Sequence, residues 1–66
     1  MRNTIKVERA KKNITQEELA GKILVSRQTI NAIETGRFIP STVLALKIAK
    51  YFKTSVEEIF ELEKND

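Results

Sequence analysis

The sequence predicts an all-α fold built from five short helices, and three observations indicate it. Residues that favour helix N-caps precede the apolar segments, at Thr15, Ser26, Ser41 and Ser55. The apolar residues behind these caps recur at helical spacing, whereas strand-like alternation is almost absent. The chain has 66 residues and no cysteine or histidine, so neither a disulfide nor a zinc site is expected to stabilise it. Stability must then come from helix packing or from a partner chain.

The first two helices are predicted over about residues 4–12 and 16–23. The first is the less regular, because its few apolar residues have no clear helical period. The second begins after Thr15, where Glu18 three residues later gives the pattern of a capping box. The apolar face of the second helix consists of Leu19, Ala20 and Ile23.

A third helix is predicted after the Ser26 cap, with Ile30 and Ile33 on its buried face. It ends near Gly36, because glycine adopts the left-handed cap conformation without steric cost. Only residues 24–26 separate this helix from the preceding one. So short a connection places the two helices crosswise, which is the helix-turn-helix arrangement.

The fourth and fifth helices are predicted after Ser41 and Ser55. The fourth is apolar over much of its circumference, which is typical of a central, well-buried helix. Glu58 gives the fifth helix a second capping-box pattern. The tail, residues 60–63, alternates apolar and acidic side chains and can pair with residues 1–4 in a small two-stranded sheet. The apolar residues of the fourth helix are Val43, Leu44, Leu46, Ile48, Ala49 and Phe52.

The composition argues against an enzyme. The chain has no histidine, no cysteine and a single aspartate, Asp66, which removes most acid–base and nucleophilic designs. We therefore expect no catalytic residue, no cofactor and no bound metal. No apolar run approaches the roughly 18 residues that span a bilayer, and no apolar stretch follows the first residues as it would in a secretory signal. The expected location is the cytoplasm, without membrane attachment.

Charge is divided unevenly along the chain, whose net charge is +3. Residues 1–53 contain eleven Lys and Arg against four Glu, a balance of +7. Residues 54–66 contain one Lys against four Glu and one Asp, a balance of −4. A basic body favours a polyanionic partner such as nucleic acid, although a solvated lysine-rich surface is also common in small proteins.

The outward face of the third predicted helix has no acidic residue, and Glu34 is the only acid in that helix. A solvated helix normally mixes both signs of charge. In the major groove of DNA, arginine pairs with guanine, and glutamine or asparagine pairs with adenine. This face therefore fits duplex DNA. Its residues are Arg27, Gln28, Asn31 and Ala32, with Thr35 at the end.

The segment that begins at Gln16 resembles the DNA-binding domain of the Cro/CI family of prokaryotic repressors, also called the XRE family. The resemblance covers residues 5–60, with the helix-turn-helix motif at about 16–35, and the chain 1–66 is similar to the family's minimal single-domain regulators. It implies a compact, lambda-repressor-like domain of five helices in a prokaryotic cytoplasm. The matching positions are Gln16, Leu19, Ala20, Ile23, Val25, Ser26, Ile30, Ile33, Glu34, Gly36 and Pro40.

The resemblance also implies roles for individual residues. The implied base-reading residues are Arg27, Gln28, Asn31 and Ala32. The implied phosphate-binding residues are Gln16, Thr35 and Arg37. The free N–H groups of a helix N-terminus independently favour an anion beside Gln16. Arg9 and Glu34 match an ion pair that ties the first helix to the end of the third.

One position departs from the family pattern. The turn between the second and third helices commonly contains glycine, because one residue there has a positive φ, and Leu24 occupies that place. A leucine in the left-handed conformation is strained by on the order of 1 kcal/mol. Either the turn is built differently, or Leu24 gains contact with the core.

The function implied is that of a sequence-specific, double-stranded-DNA-binding transcriptional regulator. We expect a repressor that binds a palindromic operator as a homodimer. Phe60 and Leu62 are expected to contribute to the dimer interface, with residues 38–43 as the alternative. Two other functions stay open. One is an antitoxin-like protein-interaction module that uses the motif as a scaffold, and the other is RNA binding, which requires exposed aromatic residues for base stacking.

Overall fold

The computed structural model describes all 66 residues and confirms an all-α fold of five short helices with a small two-stranded sheet. The sheet is antiparallel, with Arg2 opposite Glu61 and Asn3 opposite Phe60. The longest helix has 10 residues, and none combines the length and the apolar character that spanning a bilayer requires. The elements are β1 (Arg2–Asn3), α1 (Ile5–Lys12), α2 (Gln16–Ile23), α3 (Arg27–Glu34), α4 (Thr42–Tyr51), α5 (Val56–Ile59) and β2 (Phe60–Glu61).

Four of the five helices begin at the predicted caps, each of which stabilises its helix by about 1 kcal/mol. The Thr15 hydroxyl accepts a hydrogen bond from the Glu18 amide at 3.0 Å, and the Thr15 amide donates to the Glu18 carboxylate at 2.8 Å. The other caps accept from the amide three residues later. These caps are Ser26, Ser41 and Ser55. The second predicted capping box is only half formed, because the Glu58 side chain does not return to the Ser55 amide.

The turn between α2 and α3 has a left-handed residue where the sequence places Leu24. Leu24 follows α2 with φ 61° and ψ 47°, a conformation that costs a leucine on the order of 1 kcal/mol. Its side chain is 83% exposed, so the idea that Leu24 gains contact with the core is wrong. Gly36, with φ 80°, follows α3 in the left-handed conformation that was predicted there.

The core takes residues from every helix, but α4 contributes less than the sequence predicts. Val43 and Leu46 are 64% and 55% exposed. The reason is that the contacts of α4 with α2 and α5 leave the side that contains Val43 and Leu46 open to solvent. The central, well-buried helix predicted from the apolar composition is therefore buried on one side, through Ala45, Ile48 and Ala49, and has an apolar outer side. The buried apolar residues are Ile5, Leu19, Ala20, Ile23, Ile30, Ile33, Ala45, Ile48, Ala49, Phe52, Ile59 and Phe60.

Phe60 is a core residue, and this corrects one expectation about the dimer interface. Its side chain lies in β2 and is 7% exposed, so the ring has almost no area left to offer a second copy. Leu62, two residues later, is 76% exposed. The two residues that the sequence grouped together therefore lie in different environments.

The two ends of the chain are tied together beyond the sheet. The N-terminal ammonium of Met1 lies 2.8 Å from Oε1 of Glu63 and 3.0 Å from Oδ2 of Asp66. Arg2 forms an ion pair with Glu61 across the sheet. The Asp66 carboxylate also accepts a hydrogen bond from the Glu63 amide at 2.7 Å. These contacts hold residues 60–66, which we call the acidic tail, against the first residues of the chain.

The contacts of Met1 predict a pH window for the order of the tail. Hydrogen bonds to Glu63 and Asp66 raise the pKa of the Met1 amino group above its ordinary 8.0. The hydrogen bond from the Glu63 amide, and then the Met1 ammonium, lower the pKa of Asp66 below its ordinary 3.8. The ammonium therefore stabilises the fold below pH 8.0 and loses this effect as the pH rises through its folded-state pKa. The carboxylate stabilises above pH 3.8 and loses its effect as the pH falls through its own folded-state pKa.

We expect the protection of the Glu63 amide against hydrogen exchange, measured by NMR, to be greatest between pH 3.8 and pH 8.0. A chain with an acetylated N-terminus is the matched control, and it should show lower protection in this window and no further loss above it. Protection that is the same for both chains at every pH would contradict the role given to the ammonium.

Candidate nucleic-acid interface

The helix-turn-helix unit consists of α2 and α3, joined by residues 24–26. Ile30 and Ile33 anchor α3, since their side chains are 0% and 1% exposed. Ser26 caps α3 and accepts a hydrogen bond from the Thr29 amide at 3.1 Å. Burial of the two isoleucines fixes the rotation of α3 about its axis and so decides which of its side chains face outward.

The outward side of this unit brings together the seven residues predicted to contact DNA, and we call them the recognition surface. They are Gln16, Arg27, Gln28, Asn31, Ala32, Thr35 and Arg37. Four members are exposed, whereas Gln16, Asn31 and Ala32 are partly buried. Gln28 has no hydrogen-bond partner within the chain, so both groups of its amide are available to a base. Ala32 has only a methyl group to offer, which suits the methyl of thymine.

Long hydrogen bonds connect most of the recognition surface. Oε1 of Gln16 accepts from Arg27 and from Asn31, both at 3.4 Å. Arg37 donates to Oδ1 of Asn31 at 3.4 Å and to the Thr35 hydroxyl at 3.3 Å. Hydrogen bonds of this length are weak. They keep the side chains close together while leaving them able to exchange these partners for bases and phosphates.

An ion pair between Arg9 and Glu34 joins α1 to the end of α3. Nε of Arg9 lies 2.6 Å from Oε2 of Glu34, and its second terminal nitrogen lies 3.0 Å from Oε1. This two-bond geometry is the one that guanidinium and carboxylate groups favour. The side chains are only 14% and 6% exposed, and the hydrogen bond to Glu34 raises the pKa of Arg9 further above its ordinary value. Arg9 also donates to the Ile14 carbonyl at 3.0 Å, so one guanidinium fixes three segments.

Gln16 extends this ion pair through a contact that the sequence does not predict. Its Nε2 donates to Oε1 of Glu34 at 3.1 Å. Glu34 is the only acid in α3, and its carboxylate is occupied by Arg9 and Gln16, so little of its negative charge reaches the recognition surface. The backbone N–H groups of Gln16 and Glu17 have no acceptor in the chain, as expected at the start of a helix. The same position can therefore hold a phosphate.

Asn3 is a second residue that sequence reasoning missed. Its Nδ2 donates to the carbonyl of Ile33 at 2.8 Å and so holds the last turn of α3. Its Oδ1 accepts from the amide of Ile5 at 3.2 Å and so caps α1, where the Thr4 side chain makes no capping bond. No local pattern points to the first contact, because Asn3 and Ile33 are 30 residues apart in the sequence. Asn3, which lies in β1 near the start of the chain, therefore positions the last turn of α3.

Comparison with known proteins finds similarity along the whole chain. The helix-turn-helix family matches residues 5–59 of the chain. An uncharacterized HTH-type transcriptional regulator of Methanocaldococcus jannaschii is 53% identical over 66 residues, which are 100% of both chains. A second, from Archaeoglobus fulgidus, is 47% identical over 100% of this chain and 93% of its own. The uncharacterized HTH-type transcriptional regulator YgzD of Bacillus subtilis is 44% identical over 100% of both. The similarity therefore extends from the first residue to the last.

The burial of the Arg9–Glu34 pair predicts a large loss of stability when one partner is removed. Arg9→Met leaves the Glu34 carboxylate, 6% exposed, with only a neutral amide beside it. We expect a loss of about 3 kcal/mol in the free energy of unfolding, at the low end for a broken buried pair because Glu34 keeps Gln16. Chemical denaturation followed by circular dichroism measures it.

Lys11→Ala is the matched control, because it removes an ion pair with Glu8 in which the lysine is 66% exposed. It should change stability by less than about 0.5 kcal/mol. The double variant Arg9→Met, Glu34→Leu should recover much of the loss, since replacing both charges leaves none unpaired. Equal effects of Arg9→Met and Lys11→Ala would show that the burial of the Arg9–Glu34 pair has no energetic consequence.

Proposed function

The chain belongs to the helix-turn-helix family of Cro/CI-type (XRE) regulators, as the sequence resemblance indicated, and we propose that it represses transcription by binding a palindromic operator as a homodimer. The observation that carries this proposal is the recognition surface: seven residues without a carboxylate, four of them on α3, a helix whose rotation is fixed by two buried isoleucines. Arg9 neutralises Glu34, the one acid of α3. Such a surface attracts phosphate and offers hydrogen bonds to bases at the same time.

Base reading falls to the first turns of α3. Arg27 and Gln28 are exposed beside the capped N-terminus of α3, which is the end that enters the major groove in helix-turn-helix complexes. Arg27 has the fork of donors that suits guanine, and Gln28 suits adenine. Asn31 and Ala32, one turn later, supply a second amide and a methyl group for the next base pairs.

The residues that bind the DNA backbone lie on the two sides of this helix. Gln16 offers the free N–H groups at the start of α2, and Arg37 offers a charge from the loop after α3. Thr35 offers its hydroxyl only if a phosphate replaces the Asn31 carbonyl, to which this hydroxyl donates at 2.9 Å. Phosphate contacts of this kind set the register of a protein on DNA without reading sequence. Repression then requires only that the bound protein occupies the operator.

A homodimer is proposed because one recognition helix reads too few base pairs to select a site. Two helices related by a two-fold axis, about 34 Å apart, read a palindrome. The surface best suited to join the two copies is the apolar outer side of the molecule, where four large side chains are 48–64% exposed. They are Phe38, Ile39, Val43 and Leu46. Val43 and Leu46 share one face of α4, and the other two lie in the loop directly after the recognition surface.

Selection of bound sequences from random DNA duplexes tests the whole proposal. The expected product is a palindrome with half-sites separated by one turn of DNA. An asymmetric site of a few base pairs would indicate a monomer. If no sequence were enriched but the protein still bound to DNA-cellulose, its affinity for DNA would be non-specific. Absence of binding altogether would favour a protein-interaction role for the motif.

The division between base-reading and phosphate-binding residues predicts two different mutant behaviours. Arg27→Ala and Gln28→Ala should each lose roughly 1–3 kcal/mol of operator binding and much less binding to random DNA. Arg37→Ala should weaken binding to the operator and to random DNA by the same factor, and it should lower the slope of log K against log salt by roughly 0.9. Fluorescence anisotropy at several salt concentrations measures both effects. If Arg27→Ala and Arg37→Ala gave the same pattern, the division of roles would be incorrect.

The proposed interface predicts that Leu46→Lys separates the dimer. Leu46 is 55% exposed in the chain, so the substitution should leave the helicity of the monomer intact while placing a charge in the contact. Sedimentation equilibrium should show a shift toward monomer, and operator affinity should fall. Leu62→Lys is the control, since Leu62 is equally apolar and more exposed, at 76%. A dimer that survives Leu46→Lys and dissociates on Leu62→Lys would place the interface at the acidic tail instead.

A further inference from the structure

The two most exposed large apolar side chains of the molecule are surrounded by opposite charges. Leu24 is 83% exposed and Leu62 is 76% exposed. Leu62 stands between Glu61 and Glu63 in a segment whose net charge is negative. Leu24, by contrast, lies in a groove whose charged residues are all lysines. Neither leucine is explained by the fold, since neither contributes to the core.

The groove at Leu24 is basic and has an apolar lining. It has a volume of about 270 Å³ and lies between the end of α2 and one side of α4. None of its three lysines has a carboxylate within ion-pair distance, because Lys11 is the only lysine of the chain in an ion pair. Lys12 adds a fourth positive charge, with its ammonium 5.4 Å from the centre of the Tyr51 ring. The lining residues are Lys22, Ile23, Leu24, Lys47, Lys50 and Tyr51.

The backbone of Leu24 is left-handed, with φ 61°, as are those of Asn13 and Lys53, which also follow helices. Glycine adopts this conformation without strain. Leu24 differs from the other two in having an apolar side chain, which is 83% exposed. A strained backbone and an exposed apolar side chain at one position are both unfavourable in the isolated monomer. Strain that is not compensated locally is a feature of binding sites.

The acidic tail has the matching chemistry and is presented in a fixed conformation. Glu61 is paired with Arg2 across the sheet, and Glu63 is paired with the Met1 ammonium. These contacts fix the backbone on both sides of Leu62, whose side chain points into solvent. The two glutamates are still 65% and 44% exposed, so each retains free surface for a lysine.

We propose that the groove at Leu24 binds residues 61–63 of a second copy, with Leu62 against Leu24 and Tyr51 and the two glutamates beside the lysines. The two surfaces differ from one another, so a single contact is head-to-tail, and it can either repeat along a row of molecules or be exchanged by two copies about a two-fold axis. We assign it to neighbouring dimers, because the two-fold contact is already assigned to the apolar side that contains Val43 and Leu46. The groove borders that side, since Lys47 and Lys50 lie one turn after these two residues on α4. This proposal rests on the proposed function, because its consequence is that dimers fill adjacent operators cooperatively.

The contact is expected to be weak in free solution and effective on DNA. Exposed ion pairs and one buried leucine give little affinity against the loss of translational freedom. Two dimers held on neighbouring sites have a high effective concentration toward each other. Cooperativity should therefore depend on the spacing of the sites and fall as salt screens the charges.

The experiment uses duplexes that carry one or two copies of a selected operator, with the spacing between copies varied over one turn of DNA. The wild-type chain should bind the second site about tenfold more tightly than the first at one favourable spacing. Leu24→Gly and Leu62→Ser should each abolish this gain and leave the affinity for a single site within twofold. Leu24→Gly should also raise the melting temperature, because glycine relieves the strain, so loss of cooperativity cannot be attributed to unfolding.

Val7→Ser is the matched control, since Val7 is a large apolar residue that is 54% exposed elsewhere on the surface. It should change neither the cooperativity nor the single-site affinity. Cooperativity that survives Leu24→Gly, or that is missing at every spacing in the wild type, would overturn the contact and leave the proposed function intact. Loss of single-site affinity in Leu24→Gly would overturn it in favour of a groove that contacts the DNA backbone.

A measurement without DNA separates this proposal from the proposed function. Sedimentation velocity at low salt and high protein concentration should show association beyond the dimer in the wild type, and none in Leu24→Gly or Leu62→Ser. The same association in all three chains, or none in the wild type, would overturn the contact whether or not an operator exists.

Discussion

The carboxylate of Glu34 is the point on which the recognition surface depends. It lies at the end of α3, and it would repel phosphate if it were free. Arg9 occupies both of its oxygens from α1, and Gln16 adds a hydrogen bond from α2. One charge pair thus neutralises the acid, fixes the three helices to one another and holds the first residue of α2 beside the third helix. Because the pair is nearly buried, these effects are not screened by salt as a surface ion pair would be.

The molecule also separates its positive and negative charges along the chain. Residues 1–53 carry a balance of +7 and residues 54–66 a balance of −4. The acidic tail is held at the first residues of the chain by the Met1 ammonium and by Arg2, which absorb part of its charge. A free acidic tail would compete with DNA for the basic side chains, whereas a fixed one presents its remaining charge in one place.

Local features of the fold could be predicted from the sequence, and features set by distant pairing could not. Thr15, Ser41 and Gly36 act through hydrogen bonds or backbone angles within a few residues, so their roles were predictable. The exposure of Leu46 was not, because an apolar composition does not tell which side of a helix lacks a neighbour. The same holds for Asn3, whose contact with Ile33 spans 30 residues. The recognition surface was found from residue types on one helix face, yet the part of Gln16 in the ion-pair network depends on three helices meeting.

The pairing of the first and last elements has a consequence for synthesis on the ribosome. Asn3 reaches the carbonyl of Ile33 only when β1 is in place, and β1 lies opposite residues 60 and 61. All residues of the recognition surface precede residue 38, so they emerge well before the strand that secures the last turn of α3. A nascent chain therefore carries the recognition surface without its final support, and this support arrives only when residues 60 and 61 have been translated. Long-range pairing must overcome a large loop-closure entropy, so completion of the recognition surface waits for residues that are translated after all of its own.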